Sequence, residues 1–273
     1  METKEQRMSR SRILVESALM VAVAAVLSMI RLLDLPYGGS VTVGSMLPVI
    51  IISYRHGWKW GTLTGFVFAV IQQLLGLKSL SYVTTWQSVV AVILLDYILA
   101  FTVTGLGGLF RRHLKQPTAL FTGSVAVCLL RYVCHVISGA TVWAGLSIPT
   151  NAALLYSLGY NATYMIPETI VTAILAYYLG SMIDLNSEQI TRYGGSSVNR
   201  SSLALKGIGG LLFAAAIVID AILVFSRLQN AETGAFDAAG FSDVNLPLLL
   251  IVTLAGIVSF AVFLFAAKRK EKA

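Results

Sequence analysis

Residues 37–48 read YGGSVTVGSMLP: three glycines, one tyrosine and no charge. Apolar runs flank this stretch on both sides. A connection between soluble elements runs over the surface with its backbone polar groups hydrated. One this apolar and this rich in glycine makes a poor solvated loop. It reads instead as a segment packed over the mouth of something held in a membrane.

The rest of the chain agrees. Its 273 residues are 56% hydrophobic and only 12% charged, where a soluble domain carries about 25% charged residues. Eight apolar segments succeed one another, at residues 13–30, 45–54, 58–75, 85–110, 118–138, 152–183, 203–225 and 246–267. Most are near the length of about 20 residues that crosses a bilayer as a helix. The fold class is therefore all-α, a polytopic membrane helix bundle. The second segment is too short to span upright, so it is tilted or partly re-entrant. The first comes after a basic stretch (Lys4, Arg7, Arg10, Arg12). It is too long for a signal h-region and lacks a small-x-small cleavage site, so no cleavable leader is expected. Cys128 and Cys134 sit six apart on one expected helix and point to different faces, which argues against a disulfide between them.

Charge sets the orientation. With a cytoplasmic N-terminus, 16 of the 20 Lys and Arg residues fall on one face, and only Arg31, Lys78 and Arg227 on the other. Arg131 lies inside the fifth segment. By the positive-inside rule both termini are cytoplasmic, and residues 37–48 are on the outer side. The loop at 139–151 is also outside and also uncharged. The formal charge of +7 is thus a topology signal at helix ends; no nucleic-acid partner is expected. A polar stretch, DLNSEQITRYGGSSVNRSS, separates six segments from the last two. The expected organisation is residues 1–185 as a six-helix membrane domain, 186–202 as a cytoplasmic linker and 203–273 as a two-helix appendix.

An ionisable residue inside a bilayer costs about 2.5–3.5 kcal/mol on insertion scales and marks a functional site by default. Asp96 lies mid-way along the fourth segment, Arg131 and His135 one turn apart on the fifth, and Glu168 after Pro167 on the sixth. Asp96 needs a cation, either a bound ligand or Arg131. His135 is a core histidine or part of a site. Trp143 belongs to an interfacial aromatic belt or to the same site. Trp86, at the outer end of the fourth segment, Tyr37, and Tyr156 with Asn161 converge on the same region. Aromatic rings around one carboxylate make a receptor for a flat organic cation, through stacking, cation–π attraction and charge pairing. The stripe Tyr156, Tyr160, Tyr164 also fits a plain packing seam. On the first segment Ala18 and Ala22 form a small-xxx-small pattern that permits close helix contact. There is no HExxH, no serine motif with a matching base and no Walker A sequence, so neither an enzyme nor a self-powered pump is expected; an intramembrane hydrolase is the remote alternative.

These motifs resemble the thiamine-specific substrate-binding subunits (S components, ThiT family) of energy-coupling factor transporters. The resemblance rests on YGGSVTVGSMLP, on LLDY at 94–97 leading into GLGGLF, on RYVCHVISGATVWAG at 131–145 and on YSLGYNATYMIPE at 156–168. It implies a six-helix S-component core, here with two additional C-terminal transmembrane helices, and a first outer loop that folds over the vitamin. It implies thiamine as transported ligand with no cofactor, bound by Asp96 (often Glu in the family), His135, Trp143, Tyr156 and Asn161, with Trp86 and Tyr37 as further aromatics. A thiamine precursor or other cationic heterocycle is the alternative ligand. It implies docking through Ala18 and Ala22 onto a transmembrane coupling subunit that works with two ATPase subunits.

Overall fold

The structure is a computed structural model; it describes residues 9–35, 38–145, 150–192, 200–228 and 238–272. The chain runs α1 (Arg10–Met29), β1 (Arg31–Asp34), β2 (Ser40–Thr42), α2 (Leu47–His56) and α3 (Trp58–Leu75). Then comes one composite helix: α4 (Trp86–Ala91), a π-helical stretch (Val92–Leu99), α5 (Ala100–Thr102) and a 3₁₀ turn (Val103–Leu106). After it come α6 (Gln116–Gly145), α7 (Thr150–Met182), β3 (Ile183–Asp184), β4 (Thr191–Arg192), α8 (Arg200–Leu228) and α9 (Leu246–Lys272). Six of the described helices are long and apolar enough to cross a membrane.

Helix α2 is not among them. Its residues from Leu47 through Tyr54 are all buried. A helix that is apolar all round must be enclosed on every side, and α1, α3, α6 and α7 enclose this one. Pro48 sits in its first turn, where the missing N–H costs nothing. The expected short second segment is thus a core helix of 10 residues rather than a span.

The bundle closes around this helix. The longest helix pair in contact is α6 with α7. Helix α3 crosses the composite helix so tightly that a Cβ on Gly61 would lie 2.5 Å from the carbonyl oxygen of Gly105, and only glycine fits there. Large apolar side chains of α1 (Leu14, Leu19, Val26) and α9 (Leu250, Leu254, Val258) point outward, as lipid-facing surfaces do.

The glycine-rich connection is more ordered than a loop. Residues 31–34 and 40–42 pair as the two antiparallel strands of a hairpin, with Leu33 opposite Val41 and Asp34 opposite Ser40. Gly38, Gly39 and Gly44 hold positive φ, which lets the hairpin return and lie down on the bundle. Leu35, Val41 and Met46 join Tyr160 and Tyr164 of α7 in the main apolar core.

At the opposite end, the start of the expected polar linker is packed onto the bundle. Arg55 pairs with Glu16 and donates to the carbonyls of Leu185 and Ser187 at 2.8 and 3.2 Å. Arg12 pairs with Glu188. Gln116 accepts from the backbone N–H of Leu185 and donates to the Gly180 carbonyl. These contacts satisfy the Gly180 carbonyl in the last turn of α7 and the carbonyls of the segment that follows it. Of the appendix, α8 packs along α7 and reaches β1, while α9 packs on α8. Thr253 of α9 donates to Asp220 of α8 at 2.7 Å.

Candidate functional site

Beneath the hairpin lies a cavity of about 560 Å³, within the 300–1,000 Å³ usual for small-molecule sites. Its roof is Leu35, Gly38, Gly39, Ser40 and Thr42; its walls include Gln72 of α3, Asp96 and Tyr97 of the composite helix, Arg131 and His135 of α6, and Asn161, Tyr164 and Glu168 of α7.

Asp96 sits in the π-helical stretch Val92–Leu99. A π turn inserts one residue and rotates the next part of the helix, and such turns recur at functional sites. Here Asp96 faces α6. Its Oδ1 accepts from His135 Nδ1 at 2.9 Å and its Oδ2 from Ser138 Oγ at 2.9 Å. His135 and Ser138 lie three apart on α6, so one helix face holds both carboxylate oxygens. Each carboxylate oxygen keeps a second lone pair. The pairing puts the histidine hydrogen on Nδ1 and leaves Nε2 as an acceptor, facing the Arg131 guanidinium at 3.4 Å.

Of the two partners the sequence leaves open for Asp96, Arg131 is not the one observed. Its guanidinium lies over the Phe101 ring, 4.3 Å from the centroid, and points Nη1 at the Met46 sulfur. Its Nε has no hydrogen-bond partner among the described residues. The arrangement also lacks a nucleophile–base pair: Ser138 and His135 both address Asp96, not each other.

Asn161 is 5% exposed and fully engaged. Its amide donates to the carbonyls of Ser157 at 2.8 Å and His135 at 3.3 Å, and its oxygen accepts from Tyr164 Oη at 2.6 Å. It fixes α7 against α6 at the cavity wall. Tyr156, half-buried on α7, is not among the residues lining the cavity. Trp86 is 72% exposed at the start of α4 and likewise outside the lining. Trp143 falls on the last turn of α6, and its side chain lies outside the described residues, as does all of Tyr37. Ala18 and Ala22 are exposed on α1, on the flank beside the buried stripe of Ser17, Val21, Ala24 and Ser28.

Sequence reasoning gives Tyr97, Gln72 and Ser28 no role in the site. Tyr97 Oη bonds Ser79 Oγ at 2.9 Å and the Gly76 carbonyl at 3.1 Å, closing one end of the cavity. Gln72 donates to Ser28 at 2.8 Å. A pair of glutamines, Gln72 and Gln73, near the end of an apolar segment and a tyrosine next to the buried aspartate are the signals that point to them.

Comparison with known proteins gives a consistent result. Residues 14–186 match the family model described as thiamine transporter protein. The thiamine transporter ThiT of Bacillus subtilis (strain 168) is 35% identical over 178 residues, which is 59% of this chain and 86% of that protein. A solved structure of ThiT from Listeria monocytogenes superposes with a TM-score of 0.52 at 23% identity, covering 63% of this chain and 94% of that one; it supports the fold.

Proposed function

The chain belongs to the thiamine transporter protein family, a family of membrane transport proteins and not of enzymes, and we propose that thiamine binds in the cavity under the hairpin. The carrying observation is Asp96, a carboxylate on the cavity wall with both oxygens held in place by His135 and Ser138. Thiamine has a permanent thiazolium charge and an aminopyrimidine ring. A pre-oriented carboxylate in a partly enclosed cavity attracts such a cation more strongly than one in bulk solvent.

In this reading Asp96 meets the ligand directly. His135 offers a ring edge and fixes the carboxylate. Asn161 orders the wall rather than contributing a free amide. Trp143 and Tyr37 supply aromatic faces from the two outer segments, Tyr156 acts from beside the lining, and Trp86 at the start of α4 adds at most a minor contact. Residues 1–185 form the binding domain, 186–202 the connection and 203–273 an appended helix pair. Both termini are cytoplasmic, as the Lys and Arg distribution favours. The protein captures the vitamin and docks on an energy-coupling factor transmembrane subunit driven by two ATPase subunits. The exposure of Ala18 and Ala22 supports docking through α1, since small side chains let a partner helix approach closely.

Titration calorimetry on the full chain in nanodiscs tests the ligand. Thiamine binds stoichiometrically and much more tightly than hydroxymethylpyrimidine, which shares only the neutral ring. The reverse order makes the protein a precursor carrier, and no heat with either ligand overturns the reading.

A further inference from the structure

Glu168 is a buried charged group that thiamine capture by Asp96 leaves without a role. It is 2% exposed and lies in the middle of α7. Among the described residues no cation lies within ion-pair distance of it. Both its oxygens go to one residue of the hairpin: Oε2 accepts from the Thr42 backbone N–H at 2.6 Å and Oε1 from the Thr42 hydroxyl at 2.8 Å. Thr42 is the last residue of β2. Its hydroxyl oxygen also accepts from the Ser45 backbone N–H at 3.2 Å, tying the strand to the turn that leads into α2.

The contact does not stand alone. Tyr160, Tyr164 and Glu168 recur at four-residue steps and share one face of α7. Tyr160 Oη donates to the Gly38 carbonyl at 2.7 Å. The Tyr164 ring occupies the space where a Cβ on Gly39 would fall, 2.6 Å away. Three successive turns of one helix thus hold three successive points of the hairpin. Tyr164 is in turn bonded to Asn161, and Asn161 to the His135 carbonyl, so the grip on the hairpin is mechanically continuous with the wall that holds Asp96.

A carboxylate buried in a bilayer is costly, and packing alone would have been served by a glutamine or leucine. What a carboxylate adds is a pair of charge-assisted hydrogen bonds, about twice as strong as neutral ones. We propose that Glu168 is a positioning residue that latches the hairpin closed over the cavity. Its part in vitamin binding rests on thiamine being the ligand; its hold on the hairpin does not. It sets how fast ligand enters and leaves without having to touch it.

The test separates the two. A thiol is placed on the roof by Ser40→Cys, and its reaction with N-ethylmaleimide is monitored by mass spectrometry in the full-length protein without ligand. The native Cys128 and Cys134 are buried and are told apart by peptide. Adding Glu168→Gln raises the modification rate at position 40 by about tenfold, the loss of one charge-assisted acceptor. Thr42→Val, which changes only the hairpin side, does the same, and the two together add little beyond either. With labelled thiamine, Glu168→Gln and Thr42→Val both speed dissociation by a similar factor. Unchanged modification rates in folded variants overturn the latch whether or not thiamine binds. So does weaker thiamine binding with no change at position 40, which would make Glu168 a ligand contact instead. Should Glu168→Gln not fold, Thr42→Val decides alone.

Discussion

Replacing Asp96 with asparagine separates charge from shape. Asparagine keeps one oxygen to accept from His135 Nδ1, but presents an amide nitrogen to the Ser138 hydroxyl, which can turn to accept. The wall therefore survives with its hydrogen bonds rearranged; the negative charge is gone. For a thiazolium at about 4 Å, an effective dielectric near 20 gives about 4 kcal/mol of attraction. The Asp96 side chain is 25% exposed, and each ion is partly desolvated on binding, so about half of that is a reasonable net loss. Thiamine affinity should then fall by about 30-fold, since each 1.4 kcal/mol is tenfold. A neutral pyrimidine that only hydrogen-bonds the carboxylate loses about 0.5–1.5 kcal/mol, roughly tenfold at most. Calorimetry on Asp96→Asn and the parent protein with both ligands gives the two ratios. Equal losses for charged and neutral ligands, or none for thiamine, refute the charge assignment and leave Asp96 as an internal partner of His135.

Three further substitutions test other parts of the structure. Gly39→Ala forces a φ of +90° on a side chain and drives its Cβ into the Tyr164 ring; strain of about 1–2 kcal/mol should lift the hairpin and raise the thiamine dissociation rate about tenfold, read by ligand washout. Trp86→Ala should change thiamine affinity by no more than about twofold, because a side chain 72% exposed and outside the cavity contributes little; a tenfold loss in calorimetry would show that α4 moves inward on binding. Ala18→Leu with Ala22→Leu should leave binding intact while abolishing co-purification with the coupling subunit, because both side chains are exposed and bulk at a small-xxx-small face prevents close approach; intact co-purification would place docking elsewhere.

What the sequence shows of this molecule depends on the range over which each physical signal acts. Hydropathy is local and one-dimensional, so the long helices can be read directly, and so can the glycine-rich stretch that forms the cavity roof. The short α2 segment also stands out by length, yet its burial on all sides is a property of neighbours that no local pattern states. The hairpin is hidden for another reason: β1 and β2 are four and three residues long, too short for an alternation to register, and their pairing depends on glycine backbone angles rather than side-chain order. The pairing of Asp96 is obscured most. Counting 3.6 residues per turn along the fourth segment assumes an α-helix, and the π turn that carries Asp96 breaks that count. Arg131, the partner that charge alone favours, is held one helical turn away over Phe101. The carboxylate is left to a histidine and a serine, groups that position it without a full opposing charge. That is the arrangement a cation receptor requires: a carboxylate locked to an internal guanidinium would have its attraction spent before the ligand arrived, whereas Asp96 is oriented and still open to a cation from the cavity.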